Sequence, residues 1–87
     1  MCVAFGLAVS LEDYWGSDVI TAAIAHLAHS TPEKARFAAF NFCSYNAIST
    51  ATGAPQVHNG HMRAPQTPGL GVTPIMEVLG KPLFEIA

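Results

Sequence analysis

Two short apolar runs dominate the first half of the chain. Residues 8–11 are mostly apolar, and residues 37–42 form an aromatic-rich run that continues toward Tyr45. Short apolar runs bounded by polar residues are typical of strands covered on both faces, as in parallel sheets. The pattern therefore predicts two buried strands.

Between these runs the apolar positions change to a helical spacing. The positions of the apolar face are Ile20, Ala23, Ile24 and Leu27. Intervals of three and four residues place them on one side of a helix predicted over 18–30. Ser17 or Asp18 can cap its free N–H groups, and Asp18 also suits the positive end of the helix dipole. Pro32 ends the helix because it disfavours helical geometry at Thr31.

A strand, a helix and a second strand predict a parallel βαβ unit with a right-handed crossover, the building block of α/β folds. Before it, residues 2–7 are predicted to form the end of a helix, with Gly6 as its C-cap. Beyond Gly53 the chain is rich in proline and glycine, which favours extended, irregular backbone. We expect two parts, residues 1–62 with the βαβ unit and residues 63–87 as an extended C-terminal segment.

Composition narrows the range of functions. Hydrophobic residues make up 51% of the 87 positions and charged residues only 11%, which excludes a disordered chain and disfavours a self-sufficient monomer. The net charge of −2 argues against nucleic-acid binding, because phosphates need a basic surface. No run approaches the ~20 apolar residues of a membrane-spanning helix. With only Cys2 and Cys43 and no basic leader, a reduced cytoplasmic setting is the simpler expectation.

The acids at the end of the first predicted strand are the strongest candidates for chemistry. Glu12 and Asp13 stand where functional groups lie in α/β barrels, at the carboxyl end of a strand. Adjacent strand residues point to opposite faces, so at most one of them faces a site. The alternative interpretation is an acid pair at a helix start that only satisfies backbone donors.

Other possible sites are weaker. The four histidines are His26, His29, His58 and His61. Their two pairs lack the cysteine or carboxylate partners and the spacing of zinc sites, so no metal ligand is assigned. The glycines of residues 69–71 are followed by no lysine and no helix start, which favours a turn over a phosphate-binding loop.

Several longer phrases carry a specific resemblance. They are LEDYWGSDV at 11–19, TAAIAHLAHSTP at 21–32, and later residues 53–55, 59–60 and 68–74. Together they resemble the C-terminal end of the enolase superfamily, in its mandelate racemase/muconate lactonizing enzyme branch. Within that branch the chain is most similar to the cis-3-hydroxy-L-proline dehydratases. Epimerases or racemases of proline and betaine derivatives are the next choice.

The resemblance implies a fold and a cofactor. Members of this superfamily have a lid domain and a modified (β/α)8 barrel, bind one Mg²⁺, and abstract the proton α to a carboxylate. This chain would supply the end of helix six, strand seven, helix seven, strand eight and the segment that returns to the lid. The magnesium ligands and catalytic lysines of the family lie on other strands. Neither Lys34 nor Lys81 corresponds to them, so no catalytic residue or metal ligand is expected here.

The resemblance also implies a substrate-binding wall. Asp13 on strand seven, and Phe40 and Asn41 on strand eight, match positions that line the family pocket. Asp13 would help to hold a cationic ring nitrogen, and Phe40 would pack on the ring with a cation–π contribution of ~0.5–2 kcal/mol. Asn41 stands where the family pattern leads us to expect an acid, which puts an amine contact there in doubt.

Three interpretations follow from these observations. The chain is the C-terminal part of a magnesium-dependent lyase acting on a hydroxyproline-type amino acid, inactive by itself. Alternatively, it completes a barrel by binding a separately encoded upstream chain. The third possibility is a non-catalytic interaction module that buries its apolar faces in a homo-oligomer.

Overall fold

The computed structural model describes residues 1–41 and 45–86. Its elements are β1 Val9–Glu12, α1 Asp18–Ser30, a 3₁₀ turn Glu33–Ala35, β2 Arg36–Phe40, β3 Ala51–Thr52, β4 Thr73–Pro74 and α2 Met76–Leu79. The predicted strands and helix are all present, with ends shifted by one or two residues. The predicted last strand residue, Phe42, and the thiol of Cys43 lie outside the described residues.

The first two strands form a parallel pair connected through α1. Their register aligns Leu11 with Ala39 and Glu12 with Phe40, after an irregularity between Val9 and Ser10. The predicted parallel βαβ unit is thus confirmed. Because both strands run the same way, the residues that follow Glu12 and Phe40 meet at one edge of the sheet.

The N-terminal segment has the geometry of a helix end without a full helix. The Leu7 amide donates to the Cys2 carbonyl at 2.9 Å, and the Gly6 amide donates to the Val3 carbonyl at 3.2 Å. With Gly6 at φ +65°, these two bonds make the Schellman pattern that closes helix C-termini. The predicted C-cap is therefore present, but the predicted helix tail is a single hydrogen-bonded turn.

The helix ends as predicted, but its buried face does not match the prediction. Ser30 is its last residue and Thr31 has the extended backbone expected before Pro32. The buried helix residues are Thr21, Ala22, Ala25 and Ala28. Ile20 and Leu27, which belong to the predicted apolar face, are 41% and 49% exposed. The prediction was wrong because the helix packs through its small side chains, which let it approach two short strands closely. The apolar periodicity had assigned the buried face to the larger residues instead.

The prediction of buried strands was also wrong for this chain. In β2, Phe37 is 81% and Phe40 42% exposed, and Leu11 is the one buried residue of β1. Apolar strand patterns are typical of strands that other elements cover, and no element within residues 1–41 and 45–86 covers these side chains.

The overall dimensions also show that much of the surface is uncovered. The accessible surface is 6877 Å², against about 4,900 Å² expected for a folded monomer of this mass. The Cα radius of gyration is 14.7 Å, against about 12 Å expected for a compact chain of this length. The chain therefore leaves roughly 2,000 Å² more surface uncovered than a typical domain of its size.

The C-terminal segment returns along the helix. β3 and β4 pair antiparallel, while the His26 Nε2 hydrogen-bonds the Leu70 carbonyl at 3.3 Å and the His29 Nε2 accepts from the Ala64 amide at 3.4 Å. The last described residues are not packed, since Leu83 is 98% exposed. None of the helices in residues 1–41 and 45–86 has both the length and the apolar character to cross a bilayer.

Candidate functional site

The carboxyl ends of β1 and β2 bring the three predicted site residues into one region. Asp13 directly follows β1, Phe40 ends β2 and Asn41 comes next. The Asp13 amide donates to the Phe40 carbonyl at 3.4 Å, which continues the sheet pairing by one residue. In parallel α/β folds this edge is where ligands bind.

Asp13 and Glu12 point to opposite environments, as the strand alternation predicts. Asp13 is 2% exposed, whereas Glu12 is exposed. A buried carboxyl group is costly unless its oxygens are hydrogen-bonded. Within the described ranges no buried side-chain nitrogen or oxygen lacks a hydrogen-bond partner. The strand end therefore holds a carboxyl group at a fixed position.

Asn41 is oriented from the helix. The Thr21 hydroxyl lies 3.1 Å from Asn41 Oδ1 and 3.4 Å from the Ser17 carbonyl oxygen. A hydroxyl has one proton to donate, and the shorter distance assigns it to Asn41. Because Thr21 is 2% exposed, this contact is shielded from water and fixes the amide at the end of β2.

Two aromatic residues that the sequence analysis did not assign also lie at this edge. The Tyr45 ring centroid is 6.5 Å from that of Trp15 and 6.4 Å from that of Phe40, both within the range of favourable aromatic pairs. Trp15 and Tyr45 are 65% and 68% exposed. Their positions in the sequence could have identified them, because each of the two residues follows the carboxyl end of a predicted strand. We name Asp13, Trp15, Phe40, Asn41 and Tyr45 the strand-end cluster.

The backbone of Trp15 is unusual. Its φ of +54° lies in the left-handed region, which residues other than glycine enter at a cost. Such conformations persist where surrounding contacts impose them, and they concentrate at functional loops. The neighbouring Gly16 is constrained too, since a Cβ there would lie 2.3 Å from the Ile20 side chain. The loop after β1 is therefore closely specified by its sequence.

Asp18 connects the start of α1 to the segment after the strand-end cluster. Its Oδ2 accepts hydrogen bonds from the Ser49 hydroxyl at 2.6 Å and from the Thr50 and Ala51 amides at 2.8 and 3.1 Å. The Asp18 amide donates in return to the Thr50 hydroxyl at 3.2 Å. Partial desolvation alone would raise the pKa of Asp18, but the three hydrogen bonds outweigh it and lower the pKa below its ordinary value.

We name these contacts among Asp18, Ser49, Thr50 and Ala51 the Asp18 clamp. Ser17 or Asp18 was predicted to cap the helix; Ser17 is the N-cap, without a side-chain capping bond, and Asp18 is the first helical residue. Asp18 instead uses its carboxylate on residues more than thirty positions away. The clamp holds the chain after Tyr45 against the helix.

The metal chemistry of the family is not supported by the side chains present. Among residues 1–41 and 45–86 no group of three or more His, Cys, Asp or Glu side chains could hold a metal ion. A magnesium site needs several oxygen ligands, commonly carboxylates. Lys34 precedes β2 and so lies at the opposite end of the sheet from Asn41. The described residues therefore do not fit a magnesium centre.

A parallel βαβ unit whose polar and aromatic residues gather at the strand carboxyl ends matches the ligand-binding edge of α/β barrels and related α/β folds. The chain matches the family described as "Enolase C-terminal domain-like" over residues 1–78 and belongs to that family. The resemblance of its sequence phrases to the enolase superfamily is thereby confirmed.

Individual relatives show which enzymes of this family the chain is similar to. The chain is 51% identical over 83 residues to a cis-3-hydroxy-L-proline dehydratase of Roseibium aggregatum, covering 95% of this chain and 23% of that protein. A mandelate racemase/muconate lactonizing enzyme structure from Roseovarius nubinhibens is 42% identical with a TM-score of 0.87, over 95% of this chain and 22% of that one.

A further Roseovarius nubinhibens structure from this enzyme group, complexed with magnesium, is 32% identical with a TM-score of 0.88; the match covers 95% of this chain and 23% of that one. The chain thus spans under a quarter of the length of these relatives.

Proposed function

We propose that this chain forms part of the barrel and pocket wall of a magnesium-dependent lyase that dehydrates cis-3-hydroxy-L-proline. The observation that carries the proposal is the 51% identity to a dehydratase of that name over 95% of this chain. The strand-end cluster supports it, because the polar and aromatic groups lie at the edge where barrel enzymes bind substrates. In this assignment β1 and β2 are strands seven and eight, and residues 63–87 return toward a lid domain.

Within the cluster, the contact surface comes from the aromatic side chains. Phe40 is 42% exposed, and the rings of Trp15 and Tyr45 are more exposed still. The substrate class has a five-membered ring with a cationic nitrogen, and aromatic faces attract such cations by ~0.5–2 kcal/mol. These rings would pack against the substrate ring.

Asp13 and Asn41 have different roles in the proposal. Asp13 is too buried to offer much contact area, so its carboxyl group would help to hold the cationic ring nitrogen at short range. Asn41, oriented by Thr21, would supply an uncharged amide at the end of strand eight. An uncharged residue there favours a substrate whose amine is recognised elsewhere in the pocket.

The chemical step requires groups from outside the described residues. Proton abstraction α to a carboxylate needs a positioned base, and a bound metal ion would stabilise the developing enolate charge. The described residues provide no ligand set for that ion. We therefore assign this chain to substrate binding, within the cytoplasmic setting its composition favours, and expect no turnover from it alone.

The uncovered surface supports a need for further barrel structure. About 2,000 Å² of excess surface is comparable to what a stable protein interface buries. Upstream barrel sequence, in the same chain or a separate one, would pair with the outer edges of β1 and β2. A homo-oligomer is the second candidate, because the same edges and exposed side chains such as Phe37 can pair with another copy.

A chimera tests the function directly. This chain would replace the matching segment of the Roseibium aggregatum dehydratase, and the product would be assayed with Mg²⁺ and cis-3-hydroxy-L-proline. We expect dehydration by the chimera and none by the isolated chain. A different outcome in D₂O is a folded chimera that exchanges the α-hydrogen of the substrate or inverts its α-carbon without dehydration. That result would favour the racemase or epimerase alternative. A folded, magnesium-binding chimera with neither activity would contradict the proposal.

A further inference from the structure

His58 and His61 face each other across a tight hairpin. The His58 amide donates to the His61 carbonyl at 2.8 Å, and the His61 amide donates to the His58 carbonyl at 2.9 Å. Asn59 and Gly60 between them have φ of +50° and +76°. Two consecutive positive φ values are the signature of the type I′ turn, whose twist suits a two-residue hairpin.

This geometry places the two imidazoles side by side. Directly opposed residues of an antiparallel pair project from the same face, with Cβ atoms ~4.5–5.5 Å apart. Both histidines are exposed. They line a surface hollow of about 320 Å³ together with Gln56 and Arg63, which flank them on the two arms of the hairpin. No carboxylate lines the hollow.

The other two histidines are used differently. The Nε2 atoms of His26 and His29 hydrogen-bond the backbone of the C-terminal segment. No hydrogen bond joins the imidazole of His58 or His61 to any part of the chain that the structure describes. The hairpin pair therefore retains its nitrogen lone pairs for an outside ligand.

We propose that His58 and His61 form an open two-imidazole site for a first-row transition metal ion such as Cu²⁺, Ni²⁺ or Zn²⁺. Imidazole nitrogen suits these ions, and a metal–nitrogen distance of ~2.0–2.1 Å puts two bound nitrogens about 3 Å apart. Opposed side chains with the Cβ spacing above can converge to that separation. Water completes the coordination, as expected for a site with two protein ligands.

This site is distinct from the magnesium chemistry of the family. Mg²⁺ prefers hard oxygen ligands in octahedral geometry and discriminates against a pair of imidazoles. The hollow shares no lining residue with the strand-end cluster. His61 also lines a larger cavity of about 860 Å³ that Phe40 and Asn41 border, so the chemical preference of the two imidazoles, rather than distance, separates the two sites.

Arg63 provides an internal test of the ligand's charge. Arg63 lines the hollow, and its positive charge repels a bound cation but attracts an anion. Substituting Arg63→Gln is therefore expected to tighten metal binding. If the hollow instead binds an anion such as inorganic phosphate, the same substitution weakens binding, which would overturn the proposal.

The experiment is calorimetric titration of the dehydratase chimera, in excess MgCl₂, with CuCl₂, NiCl₂ and ZnCl₂ at about pH 8, above the ordinary pKa of imidazole. We expect affinity to follow Ni²⁺ < Cu²⁺ > Zn²⁺. His58→Ala and His61→Ala should each weaken binding at least about tenfold, since loss of a supporting outer contact alone costs 10–100-fold at metal sites. Electron paramagnetic resonance of the Cu²⁺ complex should show nitrogen ligation that His58→Ala reduces.

Two further variants separate the hairpin site from general histidine binding. His26→Ala removes an imidazole outside the hollow and should leave the affinity unchanged. Gly60→Ala retains both imidazoles but strains the turn, because a residue with a Cβ rarely adopts φ +76°. The added Cβ meets no atom within 4 Å, so the substitution acts through the backbone alone. It should weaken metal binding. Equal losses in His26→Ala and His58→Ala, or no loss in His58→Ala, would refute the site.

Discussion

Replacing the Asp18 carboxylate tests how the strand ends are held in place. In Asp18→Asn, one side-chain oxygen would lose its charge while still facing one hydroxyl and two amide donors. Hydrogen bonds to charged groups contribute ~1.5–3 kcal/mol and neutral ones ~0.5–1.5 kcal/mol. Three weakened bonds at a partly exposed site, with some solvent screening, give an expected loss of about 2 kcal/mol of unfolding free energy.

The pH dependence gives a second, independent signature. The folded-state pKa of Asp18 is lowered, so the clamp stabilises the fold fully above the unfolded-state pKa of ~3.9. That contribution is lost as pH falls through the lowered folded value. Asp18→Asn should therefore lower stability at neutral pH and flatten the acid limb of the stability curve.

The assay is urea unfolding of the dehydratase chimera between neutral and acidic pH, monitored by circular dichroism. Glu77→Gln is the matched control, because Glu77 also lies in the first turn of a helix, is exposed, and makes no equivalent clamp. It should change the unfolding free energy by less than about 0.5 kcal/mol. Equal stability of Asp18→Asn and the parent at neutral pH would show that the clamp contributes nothing.

Three further predictions concern assembly, backbone and pocket. The isolated chain should sediment as oligomers or aggregates, because roughly 2,000 Å² of excess surface is uncovered; a single 9.2 kDa species with one sharp thermal transition would contradict this. In the chimera, Gly71→Ala should lower the unfolding free energy by about 1–3 kcal/mol, because the φ of Gly71 is +72° and a Cβ would lie 2.3 Å from that of Pro65. An unchanged melting temperature would disprove this constraint. Tyr45→Ala should raise KM for cis-3-hydroxy-L-proline several-fold, given a cation–π contribution of ~0.5–2 kcal/mol. The control Tyr14→Ala should not, because Tyr14 is exposed and has no ring contact with another described residue. Equal KM values for the Tyr45 variant and the parent would remove Tyr45 from the pocket.

Local sequence was sufficient for the order and direction of the elements. Apolar runs at 8–11 and 37–42 and helical spacing between them predicted a parallel βαβ unit, and Pro32 marked the helix end. These signals are local because strand and helix periods and the steric effect of proline act within a few residues. The choice of Asp13, Phe40 and Asn41 came instead from the family resemblance, and the parallel pairing of β1 and β2 places these residues at one edge of the sheet.

Only the tertiary structure decided which surfaces are used. The helix packs through Thr21 and its alanines rather than its larger residues, because the closeness of approach depends on the short strands opposite. The contacts of Asp18 with residues 49–51 and of Tyr45 with Trp15 join positions about thirty residues apart. Nothing in local periodicity encodes such pairings, because they depend on how the chain returns over the helix.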